Sequence, residues 1–100
     1  MKYPDLPTKI MGMAGPITIR MRTARATIRE DKDTWGTWDE STRMIDVDAG
    51  ATKAHQWRIL YHELAHSMLA DSGIENMFAD NIIETICDAV ASARMRERFG

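Results

Sequence analysis

The segment KAHQWRILYHELAHSMLA, residues 53–70, carries apolar side chains at Trp57, Leu60, Tyr61, Leu64, Ala65 and Met68. That recurrence has the helical period, so the segment is read as the first helix of the chain. Thr52 stands where an N-cap belongs, and Gly73 in the following "DSGI" is suited to stopping the helix. His62 and His66 are four residues apart and therefore share one helix face, about 6 Å from each other. Glu63 projects to the side of that face, while Leu64 and Met68 turn away from the histidine pair. The helix thus separates a core face from a polar one.

Upstream, "PITIRMRTA" alternates Ile17, Ile19 and Met21 with Thr18, Arg20 and Arg22, the period of a half-buried strand. Its continuation through "RATIRED" reads equally as more strand or a helical turn. "TWGTWDESTRMIDVD" reads as a hairpin, with arms Trp35 to Trp38 and Arg43 to Val47 and a turn over Asp39 to Thr42. Its tryptophans are assigned to hairpin and core packing. Pro4, Pro7, Gly12, Gly15 and Pro16 punctuate residues 1–16, which are expected to run irregularly.

Downstream, a second helix is expected from about residue 76 to 98, with a buried stripe of Phe78, Ile82, Ile86, Ala89, Val90 and Ala93. Its terminal Arg94, Arg96 and Arg98 match the negative end of the helix dipole. The expected architecture is α+β: a small three-stranded antiparallel sheet followed by two long helices, the first carrying the histidines. One hundred residues suit a single domain with one core.

Composition narrows the class further. With 44% hydrophobic and 28% charged residues the chain reads as soluble, and no apolar run approaches the roughly 20 residues needed to span a bilayer. No continuous apolar segment follows the N-terminal lysine, so a secretory signal is not expected and a cytoplasmic location is. The lone Cys87 cannot form an internal disulfide, in keeping with a reducing compartment. Eight methionines suit adaptable core packing.

The net charge of −2 gives no general attraction to nucleic acid, and the Arg20, Arg22, Arg25 and Arg29 group reads as a solvated strand face. Between Ile59 and Ala93 there is no Lys or Arg, whereas Glu63, Asp71, Glu75, Asp80, Glu84 and Asp88 all fall there. Such a zone attracts a cation.

Two imidazoles one turn apart can hold one metal ion, and a catalytic zinc takes three protein ligands and leaves a fourth position open. Glu84 is the candidate third ligand, because the connection "DSGIENMFADN" can return the second helix antiparallel to the first. Asp88 lies one turn beyond Glu84 on the same face and can accept the other N–H of a ligating histidine. Two acids at that spacing repel each other unless something positive lies near them. Glu63 sits where it can act as general base toward a water on the ion. Asp71 and Cys87 are weaker ligand candidates, Glu75 and Asp80 are expected to face solvent, and His55 is too far along the helix to share the ion.

At these residues the chain resembles zincin metallopeptidases, specifically the gluzincin subgroup. There, H-E-x-x-H is followed about twenty residues later by a glutamate ligand and, four positions on, by an aspartate that orients the first histidine. The counterparts are His62, Glu63 and His66, then Glu84 eighteen residues on, then Asp88. The size, the hairpin leading into the motif and the form "HELAH" also resemble the ImmA/IrrE-type metallopeptidases of bacteria and phages.

The resemblance covers about residues 35–95. It implies a minimal zincin fold, a Zn2+ cofactor and a protein or peptide substrate, with regulated cleavage of a repressor as the family's theme. The expected activity is zinc-dependent peptide-bond hydrolysis, probed along the strand Met44 to Val47 as the sheet edge. The alternative is a non-catalytic regulatory protein whose metal site is structural or vestigial.

Overall fold

The structure, a computed structural model, describes residues 3–23 and 36–100. "RATIRED", with Arg25 and Arg29, and Trp35 at the start of the expected hairpin, lie outside the described residues. The sheet contains β1 (Lys9–Gly12), β2 (Gly15–Arg22), β3 (Gly36–Asp39) and β4 (Met44–Asp48), in the order β1-β2-β4-β3. β1 and β2 pair antiparallel, as do β3 and β4, but β2 and β4 run parallel. The α+β class stands, and the three-stranded antiparallel sheet is corrected to a mixed one of four strands.

The fourth strand comes from the segment expected to be irregular. Gly12 and Gly15 are register partners across the turn at Met13 and Ala14, so residues that read as breakers are the two ends of a hairpin. Gly15 has φ +143°, a backbone setting that glycine adopts without a Cβ clash. β1 shows no readable alternation because only Ile10 reaches the core while Met11 stays exposed.

The expected β3–β4 hairpin is present, held at its turn by Asp39. That carboxylate accepts hydrogen bonds from the Ser41 N–H at 2.9 Å and the Ser41 hydroxyl at 2.8 Å. The edge assignment is reversed, however. β4 lies between β2 and β3, with Ile45, Asp46, Val47 and Asp48 all buried, and β3 is the outer strand among the described residues.

α1 (Lys53–Asp71) begins as expected at Thr52, whose hydroxyl oxygen accepts from the His55 N–H at 3.2 Å. It ends at Ser72 and Gly73, the latter left-handed with φ +79°. A one-turn 3-10 helix (Ile74–Met77) follows, and α2 (Asp80–Phe99) begins several residues later than expected.

α1 contacts both the sheet and α2. Ile17, Ile19, Ile45 and Val47 from the sheet pack with Trp57, Leu60, Tyr61 and Leu64 of α1 in the main core. Ala65, Ile83 and Cys87 form a second cluster between the helices. No described helix is long and apolar enough to cross a membrane.

The expected stripe of α2 is rotated. Ile83, Cys87 and Ala91 are buried at i, i+4 and i+8, Ile86 and Val90 are half-buried, and Ala89 and Ala93 are exposed. Phe78 and Ile82 are also exposed, as is Met68 of α1. The helix period explains the shift: positions 82 and 84 point about 200° apart, so turning Glu84 toward α1 turns Ile82 away.

Candidate metal centre

α1 contributes His62, Glu63 and His66 to a cleft of about 570 Å³. Gly36, Thr37 and Trp38 of β3 form one wall, and Glu75, Asp80, Ile83 and Glu84 contribute from the opposite side. None of the described lining residues is Lys or Arg. Four acids of the zone read in the sequence, Glu63, Glu75, Asp80 and Glu84, therefore line a single opening.

The histidine rings lie 4.9 Å apart, centre to centre, at 60° to each other. Glu84 reaches both: its Oε1 is 3.4 Å from His62 Nε2 and its Oε2 is 2.5 Å from His66 Nε2. One ligand atom each from His62, His66 and Glu84 fall within 4.8 Å of one another. His62 Nδ1 lies 2.8 Å from Asp88 Oδ1. The four residues singled out at the two helices thus meet at one place.

The donor chemistry suits a cation. With Nδ1–H of His62 given to Asp88, its Nε2 presents a lone pair, and it presents that lone pair to the oxygen of a carboxylate. Two acceptors facing each other require a positive centre between them, which a bound metal ion or a proton can supply. Two imidazoles and one carboxylate make the three-ligand set that leaves a coordination position open.

Glu63 is 8% exposed and lines the same cleft one residue from His62. Gly36 makes room for it. A Cβ at Gly36 would overlap Ile59 Cγ2 and lie 3.2 Å from Glu63 Cγ, so β3 can approach α1 this closely only with a glycine there. The Trp38 indole N–H on the same wall is buried with no hydrogen-bond partner among the described residues.

The weaker ligand candidates stay outside the group. Asp71 is held by Arg43, whose Nη1 and Nη2 donate at 2.9 and 3.0 Å, and by the Ala14 N–H at 3.1 Å. Cys87 is fully buried, and burial, followed by Glu84 and the other nearby carboxylates, pushes its thiol up to about 12. It behaves as a small apolar side chain. His55 is exposed at the start of α1, and Tyr61 turns into the core, where its hydroxyl accepts from Arg98 at 3.3 Å.

One of the two solvent-facing expectations for this region is corrected, that for Glu75, while Asp80 is exposed as expected. Glu75 does not simply face solvent: its Oε2 comes within 3.6 Å of His66 Nδ1. Asp80 also lines the cleft. Glu75 and Gly36 escaped sequence reasoning because each acts across a change of element. The available signal for Glu75 was Gly73, a residue able to fold the chain back over the last turn of α1. Comparison of the chain with protein-family models, with curated proteins and with solved structures found no match.

Proposed function

We propose that this protein is a zinc-dependent peptidase, with His62, His66 and Glu84 as ligands and Glu63 as the general base. The observation that carries the reading is the convergence of two imidazoles and one carboxylate, beside a buried glutamate, in a cleft whose described lining contains no basic residue. A zinc ion held there by His62, His66 and Glu84 would supply Lewis acidity toward a scissile carbonyl and an attacking water.

Glu63 takes the proton from that water and delivers it to the departing amine nitrogen. Asp88 holds His62 in the tautomer that leaves Nε2 free to ligate. β3, the outer strand among the described residues and a wall of the cleft, offers its main chain to an extended peptide, whereas β4 is enclosed between β2 and β3. The substrate is then a protein or peptide segment able to lie as a strand beside Gly36–Asp39. Repressor cleavage in the cytoplasm of a bacterium or phage-infected cell is the biological setting the sequence resemblance suggests.

Metal analysis and peptide cleavage test this together. Glu63→Gln keeps its zinc and loses cleavage by roughly 10²–10⁴-fold, the contribution of a positioned base. Undiminished cleavage by Glu63→Gln removes the proposed base. Zinc retention without any cleavage by the wild type points instead to the non-catalytic regulatory alternative.

A further inference from the structure

We infer that Glu75 is a positioning residue for His66, the counterpart of Asp88 at His62, an inference that rests on the zinc site proposed above. His62 and His66 both turn Nε2 toward Glu84, which leaves each Nδ1 to be satisfied elsewhere. His62 Nδ1 meets Asp88 at 2.8 Å, and His66 Nδ1 meets Glu75 at 3.6 Å. The second distance is longer than a hydrogen bond and within reach of one by rotation of a partly exposed side chain.

The two carboxylates come from different elements. Asp88 is fixed on α2, while Glu75 stands on the one-turn 3-10 helix that begins after the left-handed Gly73. Glu75 is also the less exposed of the two, 38% against 65% for the side chain. A carboxylate accepting Nδ1–H fixes the ring's tautomer and orientation and makes Nε2 a better donor to a metal. Glu75 therefore ties the zinc affinity of His66 to the conformation of the turn between the helices.

The test measures zinc affinity by chelator competition for the full chain and for Glu75→Ala, Glu75→Gln and Asp80→Asn. Glu75→Ala is expected to bind zinc about 10- to 100-fold more weakly, the usual cost of losing such a partner. Glu75→Gln keeps an oxygen that accepts from Nδ1–H and stays close to wild type. Asp80→Asn removes the same charge from the same cleft and also stays close.

In the cobalt-loaded protein the visible absorption changes for Glu75→Ala and not for Asp80→Asn. A reading without variants is a His66 Nδ1–H visible in nitrogen–proton spectra of the zinc-loaded wild type. Its absence overturns the inference, as does wild-type affinity in Glu75→Ala. Equal weakening in all three variants also overturns it, because charge alone would then explain the effect. A wild type that binds no zinc overturns the metal centre itself, and the inference with it.

Discussion

Asp71 and Glu84 are acids on neighbouring helices with opposite surroundings. Asp71, 4% exposed, is enclosed by two guanidinium N–H donors of Arg43 and by the Ala14 N–H. Arg43 holds its carboxyl below the usual carboxylate range, against the opposing effect of burial. Asp46 repeats this pattern: it lies beside its register partner Arg20, which donates to both of its oxygens at 2.8 and 3.0 Å. Among the described residues, Glu84 pairs with histidine nitrogens and with no arginine or lysine, and Asp88 lies one turn away on the same helix. Asp46 and Asp71 are neutralised by arginine and fasten elements together. Acids of the cleft retain the capacity to bind an added positive charge.

The sharpest way to break this contrast is to compare zinc affinity in Glu84→Ala and Asp71→Asn. Loss of a ligand is expected to cost more than the roughly 100-fold upper range for an outer partner, while Asp71→Asn leaves affinity unchanged. Equal metal content in wild type and Glu84→Ala removes Glu84 from the site. Gly36→Ala comes next: forcing a methyl group against Ile59 is expected to cost about 1–3 kcal/mol in urea unfolding and to impair cleavage by displacing Glu63. Unchanged stability would show that β3 can withdraw from α1 freely.

Asp71→Asn lowers stability in a pH-dependent way. The folded carboxyl lies below its unfolded value, so its contribution is present above that unfolded value, about 4, and is lost as pH falls through the folded one. The difference from wild type therefore persists from neutral pH to about 5 and closes in stronger acid. Urea titrations across that range measure it. The smallest effect belongs to Glu84→Gln in chelator at pH 8, which relieves a like-charge i,i+4 pair and stays within about 0.5 kcal/mol of wild type. A large destabilisation there would make Glu84 a fastening acid like Asp71.

The sequence exposed the features that repeat within one element. The helix carrying His62 and His66 declared itself by its apolar period, and the inward Ile17 and Ile19 of β2 by alternation. Glu84 and Asp88 were legible because one helix turn separates them and no basic residue intervenes. Features that depend on two elements meeting were hidden. β1 has a single core residue, Ile10, and shows no period, while the parallel pairing of β2 with β4 joins residues such as Thr18 and Met44 that no local pattern connects. The stripe of α2 was misread because Ile82 and Ile86 are as apolar as Ile83, and only the rotation that turns Glu84 toward the histidines chooses between them.

Arg43 is the one described residue other than glycine with a positive φ, at +53°. A glycine would occupy that conformation with less steric cost, by about 1–2 kcal/mol. Yet the Arg43 side chain clasps Asp71 at the end of α1, donates to the Gly15 carbonyl at 3.1 Å, and lies over the Trp38 ring at 5.4 Å. Trp38 walls the cleft and α1 carries the histidines, so local backbone discomfort is exchanged for a mechanical joint between the first hairpin, the outer strand and the motif helix. Position 43 is thus a remote hinge-pin: relaxing its backbone by removing the side chain would loosen the frame that holds the cleft's two walls at their working separation.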